Sequence, residues 1–116
     1  MTRRTTAIAA ALSVLVLGSP LMTGCSDSAG NIHFTSAALK YDRGNYQGAI
    51  ADFTRAIEIN PQYADAYYNR GISKILLSDK KGACADWKKS LSLGNKATER
   101  MFADPKLDLS WCRNMR

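Results

Sequence analysis

An internal repeat constrains the fold of this chain more than any other feature of its sequence. When the sequence is shifted so that Ala37 falls on Gly71, small side chains coincide with small ones and large side chains with large ones. The other coinciding pairs are Tyr41 with Ile75, Ala49 with Ala83, Phe53 with Trp87, Ala56 with Ser90, Ile57 with Leu91 and Ile59 with Leu93. The period is 34 residues. Repeats of this length are typical of stacked supersecondary units that share one continuous core.

The pattern inside each copy is helical. Between Tyr46 and Ile59 the apolar residues recur every three or four positions, which predicts a helix with a wide apolar stripe. Gly44-Asn45 and Asn60-Pro61 are turn and stop signals, because glycine and asparagine tolerate a left-handed backbone and proline disfavours helix before it. The sequence predicts helices near residues 32–43, 46–59, 63–77, 80–93 and 96–103.

These segments resemble the tetratricopeptide repeat (TPR) family over roughly Asn31 to Asn95. The matching motifs are Gly44-Asn45-Tyr46, Ala49-Ile50, Phe53, Ala56-Ile57, Asn60-Pro61 and the run Ala66-Tyr67-Tyr68-Asn69-Arg70-Gly71. The resemblance implies an all-α fold with two helix-turn-helix hairpins within residues 32–95 (about 30–63 and 64–97), then a capping helix and tail at 96–116. Ser78 and Lys80 depart from the family, which commonly has glycine and an aromatic residue there.

The tail beyond Asp104-Pro105 carries apolar residues at nearly every second position, ending with Leu109, Trp111 and Cys112. This spacing is compatible with either a short helix or an extended strand. An exposed tryptophan would be costly, so we expect the tail to pack against the second hairpin or to insert into a partner.

The N-terminal segment, residues 1–24, has the organisation of an export signal. Arg3 and Arg4 precede an uncharged apolar run from Ala7 to Gly18, and Ser19-Pro20 follows it. The run is shorter than the ~20 residues that a membrane-spanning helix needs, and charged start, apolar centre and small residues are typical of a secretory signal peptide. We predict a signal peptide at residues 1–24.

The segment Leu21-Met22-Thr23-Gly24-Cys25 resembles the lipobox of bacterial lipoproteins. The resemblance implies that Cys25 carries lipid, including palmitate, and that the protein is anchored in the bacterial cell envelope, on a periplasmic or outer membrane face. Residues 25–31 are small and polar and are predicted to be a tether. The alternative is an ordinary signal peptide and a soluble secreted TPR protein.

The other two of the three cysteines, Cys84 and Cys112, would lie in an oxidising compartment. One interpretation is a disulfide that ties the tail to the second hairpin. The other is that Cys84 is a small core residue of the apolar stripe.

The sequence offers little for catalysis. It contains a single histidine, His33, and no phosphate loop, no Gly-x-Ser-x-Gly motif and no paired metal-ligand spacing. Asp42 and Asp52 are interpreted as solvated, and Asp79 and Asp86 as flanking a helix. We therefore predict a protein that is not an enzyme, with no cofactor, metal site or catalytic residue.

The TPR resemblance implies a concave groove for a protein or peptide partner, lined by the first helix of each hairpin. By repeat register the groove residues are Phe34, Ala38, Tyr41, Asp42, Asp65, Tyr68, Asn69, Ile72, Ile75 and Leu76. This largely apolar lining suits a peptide or a partner helix. Alternatively, the tether or a second copy of the protein covers part of it.

Positive charge is concentrated in the second half of the chain. Residues 61–116 contain eleven Lys and Arg against six Asp and Glu, whereas residues 25–60 contain three against four. A basic face attracts anionic lipid headgroups or an acidic partner, although a solvated helix face is the simpler interpretation. No nucleic-acid partner is expected of an exported protein.

Together these patterns predict a membrane-anchored TPR lipoprotein that acts as a protein–protein interaction module. Two repeats are fewer than the three usually needed for a stable stack. The alternative function is therefore a structural subunit that completes its short stack by forming a homo-oligomer.

Overall fold

The described part of the chain is helical. The computed structural model describes the backbone of residues 19–116 and the side chains of residues 28–116. Most of the predicted signal peptide and the side chain of Cys25 lie outside these residues. The helices are α1 (Ser19–Asp42), α2 (Tyr46–Ile59), α3 (Ala64–Leu76), α4 (Lys80–Ser92), α5 (Lys96–Ala103) and α6 (Ser110–Arg113). Among residues 19–116, none of these helices is long and apolar enough to cross a membrane.

The predicted all-α fold of helical hairpins with a C-terminal cap is confirmed. Helix α1 pairs with α2, α3 pairs with α4, and α2 packs on α3, so the two hairpins stack side by side. The bounds of α2 to α5 differ from the predicted ones by a residue or less. The tail, whose apolar spacing is compatible with a short helix or a strand, forms the short α6, which packs against α4.

Helix α1 is much longer than its predicted counterpart near 32–43. It begins at Ser19, so residues 25–31, predicted from their composition to be a tether, are instead part of the helix. Packing accounts for the last two of these residues. Gly30 is buried, and a Cβ atom added to it would lie 3.7 Å from Cγ2 of Ile59. The hydroxyl of Tyr63 also donates a hydrogen bond to Oδ1 of Asn31 at 3.0 Å.

Two apolar clusters form the core. The first contains Ala37, Ala49, Phe53, Ala56, Ile57 and Ala66, with Phe34, Tyr41, Tyr63 and Tyr67 packed against it. The second contains Ala83, Trp87 and Leu109, with Tyr68, Ile72, Ile75, Met101, Phe102 and Trp111 packed against it. Leu109 and Trp111 come from the tail, which confirms that the tail packs onto the second hairpin.

Small residues allow the paired helices to approach closely, as the repeat pattern predicted. Ala37, Ala49 and Ala83 have no exposed surface. A Cβ atom added to Gly71 would lie 2.5 Å from Nε1 of Trp87, closer than two non-bonded atoms can approach. Glycine at position 71 is therefore what admits the indole ring.

The turns of the two hairpins repeat the same local structure. Asn45 and Asp79 cap α2 and α4, each accepting a hydrogen bond at 2.9 Å from the backbone N–H three residues later. Just before these caps, Gly44 has φ +78° and Ser78 has φ +64°. Ser78 thus adopts the left-handed conformation that glycine supplies in the first hairpin.

Candidate partner-binding surface

Two of the four predicted groove residues of α1, Phe34 and Tyr41, pack against the first core cluster. The ring of Phe34 stacks on Tyr63 with centroids 4.9 Å apart, and it meets Phe53 edge-on at 5.4 Å. Tyr41 is half-buried and packs edge-on against Tyr46 at 5.4 Å. Ala38 is also half-buried, and Asp42 is exposed. The aromatic residues of α1 therefore contribute to the core and present only part of their surface to solvent.

The predicted groove residues of α3 meet the C-terminal part of the chain. Tyr68, Ile72 and Ile75 are half-buried against the second cluster, which includes Leu109 of the tail. The carbonyl oxygen of Tyr68 also accepts a hydrogen bond from Nε1 of Trp87 at 3.3 Å. The protein's own C-terminal segment thus packs against the same cluster as these groove residues. The sequence predicts that the tail packs on the second hairpin, but it does not predict that the tail lies near the groove residues.

The polar groove residues of α3 are held by hydrogen bonds. Nδ2 of Asn69 donates to the backbone oxygen of Asp65 at 2.8 Å. The carboxylate of Asp65 accepts a hydrogen bond from the amide of Asn95, which is the N-cap of α5. These contacts fix the side chains in place and connect the first helix of the second hairpin to the capping helix.

Leu76 is the most exposed apolar member of the predicted groove set, at 48%. Its neighbour Leu77 is 41% exposed and borders a shallow depression of about 320 Å³ at the junction of the two repeats. The depression is lined by Gln47, Ile50, Lys74, Leu77 and Asp79. Two adjacent exposed leucines beside a concave surface form a feature into which an apolar side chain of a partner can pack.

A buried ion pair repeats in both hairpins. Asp52 is 3% exposed and its Oδ2 lies 2.7 Å from Nζ of Lys40. Asp86, its counterpart in the second repeat, is 4% exposed and its Oδ2 lies 2.8 Å from Nζ of Lys74. The prediction that Asp52 is solvated and that Asp86 merely flanks a helix is therefore wrong. The two aspartates recur at the repeat spacing, and so do the two lysines. This recurrence is a sequence signal that predicts the ion pairs.

Arg70 strengthens the second of these pairs and links the two hairpins. Its Nε and Nη2 atoms donate to the two carboxylate oxygens of Asp86 at 2.8 and 2.6 Å. Its Nη1 atom donates to the hydroxyl of Thr54 on α2 at 3.1 Å. The guanidinium carbon also lies 5.5 Å from the ring centroid of Tyr67. A planar, multidentate side chain can make all these contacts at once, which a lysine cannot.

The pKa of Asp52 is lowered from its ordinary value of 3.8. The hydrogen bond from Lys40 is the main cause, followed by one from Ser36, whose hydroxyl lies 2.6 Å from Oδ2. Burial acts in the opposite direction, and the positive charges of Lys40 and Arg55 lower the pKa further. Because these groups stabilise the anion, Asp52 has a structural role as a charged residue.

A disulfide joins Cys84 of α4 to Cys112 of α6. Both residues are buried, with 1% and 0% exposure. The bond closes the tail over the second hairpin and holds Trp111 near Trp87, with ring centroids 6.4 Å apart. Of the two interpretations of Cys84, the structure agrees with the disulfide. Cys84 is at the same time a buried residue of the apolar stripe.

The described residues hold no cluster of three or more His, Cys, Asp or Glu side chains with the geometry to bind a metal ion. Their buried carboxylates, Asp52 and Asp86, are each engaged by cations and lie on paired helices. The arrangement offers a partner apolar contacts and hydrogen-bonding groups whose positions are fixed by the fold.

Residues 38–74 match the family model described as TPR repeat. The chain is also similar to Tetratricopeptide repeat protein 36 from Danio rerio, with 43% identity over 54 residues. That match covers 47% of this chain and 29% of the length of the relative. The matched residues of the family model run from the end of α1 through α2 and most of α3. This segment, and the stacked helical hairpins that contain it, are thus similar to TPR repeats.

Proposed function

We propose that this protein is a lipid-anchored interaction module of the bacterial cell envelope, non-catalytic, whose TPR hairpins bind a protein partner. The observation that carries the proposal is the TPR match at residues 38–74 on a stack of helical hairpins. Helical repeats of this kind build extended surfaces from side chains at equivalent positions of successive units. The described surface fits this use, because it presents exposed leucines beside a shallow depression.

The partner contact is proposed at Leu76 and Leu77. The aromatic groove residues are partly buried against the two core clusters, the second of which includes a residue of the tail. The two leucines are therefore the most exposed apolar side chains of this region. An apolar helix or extended peptide would bury Leu77 in the depression between the repeats, where Lys74 and Asp79 are also part of the lining, and would cover the adjacent Leu76. Such a contact needs no rearrangement of either hairpin.

The contact is tested by replacing Leu76 with Asp in the full chain and recovering bound proteins from cells after crosslinking. Leu91, which is 39% exposed on α4, provides a matched control as Leu91→Asp. We expect a protein that is captured by the unaltered chain and by Leu91→Asp to be lost from Leu76→Asp. Equal capture by all three chains would contradict a partner site at the leucines.

The anchor is proposed at Cys25, on the strength of the lipobox-like segment and the signal peptide before it. Mass spectrometry of the membrane-extracted protein should show an acylated N terminus at residue 25. Cys25→Ser should prevent this modification and move the protein out of the membrane fraction. A chain that is recovered with an unmodified N terminus downstream of Cys25 would contradict the anchor and leave the TPR surface as a separate question.

A further inference from the structure

We propose that the outer face of α1 lies against the lipid bilayer and holds the TPR hairpins directly on the membrane surface. The face consists of Asn31, Ile32, Thr35, Ser36 and Leu39. The inference rests on the proposed acylation of Cys25 and goes beyond it, since an anchor on a flexible tether would leave the orientation of the domain free.

The short distance between Cys25 and the packed part of the fold is the first argument. Gly30 is already buried against α2, and the side chain of Asn31 is hydrogen-bonded to Tyr63. Gly30 comes only five positions after Cys25. This segment spans about 7.5 Å as the α-helix found here and at most about 18 Å if fully extended. A lipid at Cys25 therefore keeps the start of the hairpin stack at the headgroup level.

The second argument is the composition of the outer face of α1. Ile32 is 67% exposed and Leu39 is 51% exposed, more than the other large apolar side chains among the described residues. The five residues of the face line a shallow depression of about 450 Å³, and none of them carries a charge. Large apolar side chains that remain in water at this edge of the stack gain free energy when lipid covers them.

The register of α1 connects this face to the anchor. Ile32 precedes Leu39 by seven residues, and Cys25 precedes Ile32 by the same spacing. Seven residues are close to two turns of an α-helix, so the three positions fall in one line along α1. Exposed Arg43 follows the last residue of α1, four positions after Leu39, and no ion pair engages it within residues 28–116. A cation at the end of an apolar stripe suits anionic phospholipid headgroups.

A bilayer fits this face better than a protein surface does. The opposite end of the hairpin stack is covered by α5, α6 and the disulfide, whereas Ile32 and Leu39, the most exposed large apolar side chains of residues 28–116, lie on α1, the helix that carries Cys25. An anchored chain meets lipid at that end at very high local concentration, whereas any protein must arrive by diffusion.

The test is photo-crosslinking in the full chain, produced in bacteria and left in its native membranes. A photoreactive amino acid replaces Ile32 or Leu39, and, in control chains, Leu91 or Leu107, which are 39% and 45% exposed. After irradiation, mass spectrometry of the purified chain identifies what has been attached. We expect phospholipid adducts from positions 32 and 39 at roughly ten times the yield from positions 91 and 107.

The same spectra separate the two proposals. An acylated chain with lipid adducts at positions 32 and 39 supports both. An acylated chain that gives adducts to a second copy or to another protein at these positions, or equal lipid adducts at all four, overturns the membrane-facing orientation and leaves the anchor intact. An unacylated chain overturns both.

Discussion

The ammonium nitrogen of Lys74 lies 2.8 Å from Oδ2 of Asp86, and this pair repeats, in the second hairpin, the pair that Lys40 forms with Asp52 in the first. Each pair joins the first helix of a hairpin to the second. The carboxylates are buried and the lysines are partly exposed. Each hairpin thus has, besides its apolar stripe, one charged contact that favours a single alignment of its two helices.

Removing the carboxylate of Asp86 should destabilise the protein strongly. Asp86→Ala leaves Arg70 and Lys74 close together without their anion, and the loss of one partner of a buried pair costs about 3 kcal/mol. Asp52→Ala should cost less, because the side chains of Lys40 and Arg55 are 38% and 62% exposed and stay hydrated. Urea unfolding measures both free energies. Glu99→Gln, at a surface pair, is the control, and a loss no larger than that of the control would contradict the prediction for Asp86.

Stability should fall in acid, and Asp52 should contribute to the fall. Since its folded pKa lies below the ordinary 3.8, its contribution is complete above that value and is lost as the pH drops through the folded pKa. Lys40→Met removes the largest cause of the lowered pKa, so it should raise the pKa and reduce this part of the acid dependence. Carboxyl titration by NMR measures the pKa directly. An unchanged pKa in Lys40→Met would show that the ion pair has no such effect.

Two glycines in helices should respond oppositely to alanine. Gly71→Ala should destabilise by about 1–3 kcal/mol, because its Cβ would overlap the indole of Trp87 and force a shift. Gly30→Ala should be neutral or stabilise by up to about 1 kcal/mol, because its Cβ would make only ordinary contacts and alanine favours the helix. Thermal unfolding compares the two variants. Equal shifts in melting temperature would contradict the close packing of Trp87 at position 71.

Ser78→Gly should stabilise the protein. Ser78 adopts φ +64°, a conformation that costs a residue with a Cβ about 1 kcal/mol, and glycine removes most of that cost. The reciprocal change, Gly44→Ser, should destabilise by a similar amount, because Gly44 has φ +78° in the equivalent turn. Urea unfolding of the two variants provides the check. A gain in stability from Gly44→Ser would contradict the equivalence of the turns.

Loss of the Cys84–Cys112 disulfide should destabilise the protein by about 3–4 kcal/mol, as expected from loop-closure entropy for a bond between residues 28 apart. The double variant Cys84→Ala/Cys112→Ala should show this loss in urea unfolding. Reducing agent should lower the stability of the unaltered protein and leave the double variant unchanged, which is the matched control. If the unaltered protein unfolds at the same urea concentration before and after confirmed reduction, the tail does not depend on the bond.

The surroundings of several predicted groove residues depend on contacts with residues far away in the sequence, which no local pattern reveals. Tyr68 and Ile72 have the register of groove residues, but that register does not show that Leu109 of the tail packs beside them. Arg70 looks like one more polar residue of α3, yet it bridges Asp86 and Thr54, each 16 residues away along the chain. For Asp52 and Asp86 the repeat spacing did carry a signal, since Lys40 and Lys74 recur with them.

By itself, the sequence determined the hairpins. The internal repeat, the apolar stripes at helical spacing and the turn residues Gly44, Asn45, Asn60 and Pro61 can be read along the chain, because the signals that mark helices and turns are local. Tertiary structure decided the rest. Residues 25–31 belong to α1, whose Gly30 is buried against α2, and ion pairing across each hairpin holds Asp52 and Asp86 inside the fold. The tail lies on the second hairpin because Leu109 and Cys112 are buried there, which removes their apolar surface from water.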